Sequence, residues 1–151
     1  MVPISVGRIL VALDGSDQSK KALELAVDLA KMWNATIYLI HVQERLKMPK
    51  EFEKYAKVER IPPSNYFAMV CERNQFLGEG LTRVKEAGVK AADPICVQGD
   101  PTASILNAAK RNKIDLIIMG SRGLGLFKKA VVGSVCSKVF HNSSCTTIAV
   151  K

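Results

Sequence analysis

Short aliphatic runs alternate along the chain with longer stretches in which apolar and polar positions mix. The short runs predict five strands, at residues 8–14, 35–42, 89–97, 115–119 and 146–150. The longer stretches predict helices at residues 17–33, 65–87, 101–112 and 134–142. Strands that alternate with helices indicate a parallel sheet covered on both faces. The predicted fold class is therefore α/β, a single-domain doubly wound sandwich over residues 1–151.

Individual residues mark where several of these elements begin or end. Ser16 suits the N-cap of the first helix, and Asp100 followed by Pro101 suits the start of the third. Gly88 suits the end of the second helix. Pro94 lies inside the third predicted strand and removes a ladder donor there, so we expect that strand at an edge of the sheet.

Residues 43–64 form the least regular part of the chain. They are charged with mixed sign and contain Pro49, Pro62 and Pro63. Prolines oppose a single long helix, so this segment is predicted to be a mobile connection that becomes better protected when a ligand binds. The alternative is a surface loop that ignores the ligand.

The composition fits a folded domain without a membrane span. The chain has 151 residues, of which 48% are hydrophobic and 24% charged. It contains no run of about 18 apolar residues, and its start is too short and mixed for a signal peptide. The four cysteines form no Cys-x-x-Cys pair and have no histidine at ligand spacing. We expect reduced, mostly buried thiols in a cytoplasmic protein, with no disulfide required.

Positive charge is concentrated toward the end of the sequence. The net charge is +8, and residues 108–151 carry eight basic residues and one acidic residue, which is +7 of that total. A local positive field favours anionic ligands. Nucleic acid would explain the charge equally well, and so would a solvated lysine face.

A glycine-spaced loop lies within this basic stretch. An apolar run ends at Gly120-Ser121-Arg122-Gly123, and Gly133-Ser134 opens the last predicted helix. Glycines let main-chain N–H groups approach an anion, and a helix N-terminus offers unpaired donors, so the loop predicts a phosphate site. Simple turn chemistry is the alternative. Neither a P-loop motif nor a dinucleotide fingerprint is completed here.

The carboxyl ends of the predicted strands bring further residues to the same edge. In a doubly wound sheet, ligands bind beyond these strand ends, where the strand order reverses. Asp14 follows the first strand, His41 and Val42 end the second, and Gly99 follows the third. Met119 ends the fourth strand immediately before the glycine loop, so the loop lies where this fold holds a ligand.

The sequence resembles the ATP-binding branch of the universal stress protein family. The likeness runs the length of the chain, and the pattern Gly-x2-Gly-x9-Gly-Ser/Thr that marks nucleotide-binding members is intact. The motifs that carry it are Asp14, His41-Val42, Gly99-Asp100-Pro101, Ile117 to Gly123, Gly133-Ser134-Val135 and Thr147 to Val150.

The resemblance implies a position for each part of ATP. Asp14 would hydrogen-bond the ribose, and the main chain of Val42 would read the edge of the adenine. The residues that line the nucleoside would be Ala12, Leu13, Met119 and Gly120. The residues that hold the phosphates would be Gly123, Gly133, Ser134 and Val135. Magnesium would be carried by the phosphates. The alternative roles are helix or turn capping, for Asp14 after the first strand and for Ser134 at the last helix.

The resemblance also implies a strand order of 3-2-1-4-5 and a nucleotide-dependent switch or stress-response module. The last strand, 146–150, would then be a free edge, and we expect a homodimer through it. No catalytic constellation stands out, so the alternative function is a slow ATPase or an autophosphorylating protein with Ser134 or Ser121 as acceptor. A nucleic-acid or acidic-partner binder is less favoured, because the basic region holds only two aromatic rings, Phe127 and Phe140.

Overall fold

The chain forms a parallel sheet with helices packed against it. The structure, a computed structural model, describes residues 5–44, 47–122 and 133–151. The elements in those ranges are β1 (Arg8–Ala12), α1 (Asp17–Trp33), β2 (Thr36–Gln43), α2 (Lys50–Val58), α3 (Pro63–Glu72), α4 (Gln75–Glu86), β3 (Lys90–Ala91), β4 (Ile95–Gln98), α5 (Pro101–Arg111), β5 (Leu116–Gly120), α6 (Ser134–Asn142) and β6 (Thr146–Val150).

The sheet order is β3-β2-β1-β5-β6, and β4 also pairs with β2. All of the strand pairs are parallel. Because β3 and β4 both lie beside β2, they correspond to the single third strand of the sequence prediction. With that strand split in two, the predicted order 3-2-1-4-5 and the α/β fold class are confirmed.

Alternate residues of the strands supply two separate cores. On β1, Ile9 and Val11 face the side covered by α1 and α4, whereas Leu10 faces α5 and α6. All three side chains are completely buried. Burial of one such side chain contributes about 1.5–3 kcal/mol. The near-continuous apolar runs of the sequence therefore reflect a sheet buried on both faces.

The helix ends follow the capping residues of the sequence. The Ser16 hydroxyl accepts a hydrogen bond from the N–H of Ser19 at 3.1 Å, and Asp100 Oδ2 accepts one from the N–H of Ala103 at 2.8 Å. Gly88 follows α4 with a φ of +74°, a left-handed conformation that suits glycine. The predicted bounds of α1 and α6 agree with the structure at both ends.

The third predicted strand is interrupted where Pro94 lies. Only Lys90–Ala91 and Ile95–Gln98 pair with β2, and Pro94 stands in the gap between them. Proline has no N–H to donate to a ladder, which explains the break. The predicted edge position is confirmed, because within the described residues β2 is the sole strand neighbour of both pieces.

The segment 43–64 contains a helix that the sequence interpretation missed. Pro49 precedes α2 as its N-cap, and Pro62 precedes α3 in the same way. These prolines therefore begin helices rather than prevent them. The rings of Phe52 and Tyr66 lie 4.8 Å apart between centroids and join α2 to α3.

The single helix predicted over residues 65–87 is also wrong. It is two helices, α3 and α4, separated at Arg73 and Asn74. The Asn74 side chain accepts a hydrogen bond from the N–H of Leu77 at 3.0 Å, which makes it the N-cap of α4. Asparagine competes locally for the main chain in this way, and the apolar spacing alone did not show it.

A disulfide joins Cys71 at the end of α3 to Cys96 in β4, with their Cα atoms 5.8 Å apart. The expectation that all cysteines are reduced is therefore wrong for this pair. The two residues meet because the fold brings the end of α3 to the edge strand β4, which their spacing along the chain does not reveal. Cys136 and Cys145 are free, and burial raises the pKa of the Cys136 thiol. The prediction of a cytoplasmic location rested partly on four reduced thiols, and the disulfide removes that argument.

Candidate functional site

A cavity of about 880 Å³ opens at the carboxyl ends of β1, β2 and β5. Nine of the ten predicted site residues line it: Ala12, Leu13, Asp14, Val42, Met119, Gly120, Gly133, Ser134 and Val135. The tenth, Gly123, lies outside the described residues. The strand-end rule therefore brings together residues that are far apart in sequence, although the role of each remains a prediction.

One wall of the cavity is the fork where β1 and β2 separate. The last register pair is Ala12 with Ile40, and one further bond runs from the Leu13 N–H to the Ile40 carbonyl at 2.8 Å. Main-chain groups alternate in direction along a strand, so those of Val42 point to the same side as those of Ile40. Beyond Leu13 the ladder stops, and the main chain of Val42 borders the cavity.

Asp14 occupies the base of this fork and is half-buried. Its Oδ1 accepts a hydrogen bond from the N–H of Ser16 at 2.9 Å. The turn-capping role that the sequence left open for Asp14 is thus present. Among the described residues no side chain or N–H bonds Oδ2, so this oxygen can accept from a ligand hydroxyl while Oδ1 holds the turn.

Three helix N-termini border the cavity, and they differ in how they are capped. The first two carry polar side-chain caps: Ser16 on α1 and Asp100 on α5. The cap of α6 is Gly133, with no side-chain hydrogen bond and no acidic residue in the first turn. The N–H groups of residues 134–136 have no partner within the helix, so this end keeps its donors and partial positive charge.

The position of Gly133 also settles the alternative role of Ser134. Since Gly133 is the N-cap of α6, Ser134 occupies the first helical position and does not cap the helix itself. Both residues line the cavity. The φ of Gly133 is −68°, a value open to any residue, so the backbone conformation does not require glycine there.

Gly120 is constrained by packing. A Cβ on Gly120 would lie 2.9 Å from Cβ of Gln18 and 3.2 Å from the Gln18 carbonyl carbon. These distances are too short for ordinary contact, so the end of β5 can pass the first turn of α1 only without a side chain. Glycine at this position is explained before any ligand is considered.

Ser121 is the site residue whose environment the sequence did not reveal. Its side chain is fully buried, and its Oγ has no hydrogen-bond partner among the described residues. Its N–H donates to the Val150 carbonyl at 2.7 Å, and its carbonyl accepts from the N–H of Gly133 at 2.5 Å. An unpaired buried hydroxyl lowers stability by roughly 1–3 kcal/mol. A polar ligand or a water molecule that bonded the Ser121 hydroxyl beside α6 would therefore be stabilising.

Among the described residues, the charged side chains that line the cavity are Asp14, Glu44 and Arg122. Within the described ranges no cluster of histidine, cysteine and acidic residues could hold a metal ion. No described helix is long and apolar enough to cross a membrane. Sequence reasoning missed Glu44 and Ser137 as cavity residues. Ser137 lies three residues after Ser134, and that helical spacing could have identified it.

Comparison with known proteins agrees with this architecture. The model of the universal stress protein family matches residues 5–151. Universal stress protein YxiE of Bacillus subtilis is 36% identical over 151 residues, covering 95% of this chain and 98% of its own length.

Two solved structures show the same fold. A universal stress protein of Archaeoglobus fulgidus in complex with dAMP has a TM-score of 0.66 and 19% identity, covering 98% of this chain and 100% of its own. An Arabidopsis thaliana family protein with AMP bound has a TM-score of 0.65 and 21% identity, covering 96% and 91%. From the family match and the relative in B. subtilis, we conclude that this chain belongs to the universal stress protein family.

Proposed function

We propose that the chain binds an adenine nucleotide, with ATP and its magnesium as the ligand, and acts as a nucleotide-dependent switch in a stress response. The observation that carries this proposal is the N-terminus of α6, which has no side-chain cap, beside the Ser121 hydroxyl, which has no hydrogen-bond partner within the described residues. Together they offer main-chain donors, partial positive charge and a buried polar group in one place, which suits phosphate. The AMP and dAMP complexes of the two structural neighbours support the same ligand class.

The proposed pose follows the cavity walls. The phosphates lie beside Gly133, against the N–H groups of Ser134 and Val135, and the ribose hydroxyls meet Oδ2 of Asp14. The base lies in the fork against the main chain of Val42. A cavity of about 880 Å³ is large enough for a nucleotide. Magnesium would be carried by the phosphates.

Binding is favoured over turnover. The carboxylates that line the cavity are Asp14 and Glu44, which follow β1 and β2 at the nucleoside end. Hydrolysis needs a base that orients water at the γ-phosphate. We therefore expect any ATPase to be slow. Phosphate release under single-turnover conditions would distinguish bound ATP from slow hydrolysis, and Ser134→Ala would test that residue as a phosphate acceptor.

Thermal unfolding with and without nucleotide tests the binding proposal. A ligand that binds only the native state adds about 2.7 kcal/mol at a hundred times its Kd, so ATP with magnesium should raise the melting temperature. GTP at the same concentration should raise it less. An unchanged melting temperature in millimolar ATP would show that the proposal is wrong.

Substitution at Gly133 tests where the phosphates bind. Gly133→Val should abolish ATP binding, because a branched side chain would stand between the α6 N-terminus and the phosphates. The fold should survive, because the φ of −68° is open to valine. Gly78→Val in α4 is the matched control, since a Cβ there meets nothing within 4 Å. Calorimetric titration that finds wild-type affinity in Gly133→Val would remove α6 from the site.

A further inference from the structure

The His41 side chain occupies the position at which the β1–β2 ladder would otherwise continue. In a parallel ladder, the bond that follows Leu13 N–H to Ile40 carbonyl runs from the Val42 N–H to the Leu13 carbonyl. In this structure the Leu13 carbonyl instead lies 2.7 Å from Nδ1 of His41. A carbonyl can only accept, so Nδ1 carries the proton and donates it.

The hydrogen bond from His41, which replaces the ladder bond, determines which main-chain groups face the cavity. With the Leu13 carbonyl engaged by the imidazole, the β1–β2 ladder ends at the Ala12–Ile40 pair. Val42 pairs with Val97 on the β4 side, but on the β1 side no described strand residue stands opposite it. Its N–H and C=O then present a donor and an acceptor side by side. The edge of adenine carries the complementary pair, a ring nitrogen that accepts and an amino group that donates. Guanine presents the reverse order at the corresponding atoms.

The imidazole is held in place by its surroundings. Its ring centroid lies 5.6 Å from that of Phe76, on α4. Phe76 in turn packs over Gly15, where a Cβ would lie only 2.5 Å from the phenyl ring. The hydrogen bond to Leu13 and this ring contact together fix the His41 side chain between the strand fork and the helix layer.

We propose that His41 is a positioning residue for base recognition: by binding the Leu13 carbonyl, it keeps the Val42 main chain free to read adenine. The inference rests on the proposed function, because it assigns how that site selects its base. His41 does not itself contact the base. It acts through the ladder bond that it prevents.

The test compares two substitutions. Asparagine places an N–H donor near the position of Nδ1, so His41→Asn should keep the Leu13 carbonyl engaged. His41→Leu removes the donor, so the Val42 N–H should close onto that carbonyl. Amide hydrogen exchange by NMR, without any ligand, should show Val42 protected in the leucine variant and unprotected in the wild type and the asparagine variant.

Titration with ATP, GTP and inorganic triphosphate supplies the second readout. The leucine variant should lose about tenfold in ATP affinity and most of its preference over GTP, since two hydrogen bonds to the base are affected. Its affinity for triphosphate should be unchanged, which confirms that the phosphate site is folded. The asparagine variant should recover the preference.

The outcomes separate the two proposals. Wild-type base preference in His41→Leu, or unchanged exchange at Val42, would overturn the role of His41 and leave nucleotide binding standing. A wild-type chain that binds triphosphate but shows no preference between ATP and GTP would also overturn it. A wild-type chain that binds none of the three ligands would overturn the proposed function and this inference with it.

Discussion

Loss of the bond between Cys71 and Cys96 should lower the free energy of unfolding substantially. The two cysteines are 25 positions apart in sequence, so the bond closes a loop of that size in the unfolded chain. The loop-closure entropy for such a loop corresponds to about 3.5 kcal/mol at room temperature. For a domain of this size, that is a large fraction of the total stability.

The native fold should survive the change. No side chain of α3 is fully buried, so the helix that carries Cys71 contributes little to either core. On the two sides of the bond, α4 is anchored by the buried residues Leu77 and Val84, and β4 is paired with β2. The effect therefore falls mainly on the unfolded state, and the reduced chain should stay folded in the absence of denaturant.

Urea unfolding followed by circular dichroism measures the effect. Taking a slope of about 2 kcal/mol per molar urea, the midpoint should fall by roughly 1.5–2 M in Cys71→Ser/Cys96→Ser. A dithiol reductant should lower the wild-type midpoint by the same amount and leave the double variant unchanged. Cys145→Ser is the matched control, because it removes a free thiol and keeps the bond.

Two results would refute this reasoning. Equal midpoints for the wild type and the double variant would show that the bond does not constrain the unfolded chain. Four reactive thiols in the unreduced, unfolded protein, where the structure requires two, would show that the bond is not formed at all.

Three further predictions concern packing, charge and assembly. Gly120→Ala should lower the free energy of unfolding by about 1–3 kcal/mol, because the added Cβ would lie too close to α1. Gly78→Ala, where a Cβ meets nothing within 4 Å, should cause no such loss. Thermal melts would check both, and an unchanged melting temperature for Gly120→Ala would contradict the packing argument. The hydrogen bond from Arg83 lowers the pKa of Glu24 from its ordinary 4.5, so the small stabilisation by this pair is present above pH 4.5 and is lost as the pH falls through the lowered pKa. The melting temperature of Glu24→Gln should therefore lie below that of the wild type near neutral pH, and the two should be equal well below the lowered pKa. The chain should be a homodimer in light scattering, paired through β6, which has β5 as its sole strand neighbour among the described residues. Ile148→Pro should give monomers, and a dimer that survives the proline would exclude this interface.

Much of the fold could be predicted because it depends on local pattern. The sheet is buried on both faces, so its strands read as apolar runs, and side-chain caps such as Ser16 and Asp100 act within four residues of their own position. The errors lie where distant parts of the chain meet. Cys71, at the end of α3, and Cys96, in β4, approach each other only in the folded chain, and no spacing rule reports that.

The candidate site was predictable to the extent that it follows from topology. Parallel strands end at one edge, so Asp14, Val42 and Met119 had to come together once the strand order was known. What the sequence could not supply was the state of individual polar groups. The Ser121 hydroxyl, which has no partner in the part of the chain that is described, and the imidazole that binds the Leu13 carbonyl both depend on distances of a fraction of an ångström between elements.

The two glycines that flank the loop carry different information for anyone who classifies relatives by this motif. Gly120 is required by the passage of β5 beside α1, so a relative that had lost its ligand entirely would still have to keep it. Gly133 has an ordinary backbone conformation, so a relative that no longer binds phosphate would be free to replace it. A motif search that scores both positions equally will therefore accept chains that share the fold alone. Under the proposed function, we expect the second glycine, with the serine that follows it, to differ between relatives that bind phosphate and relatives that do not.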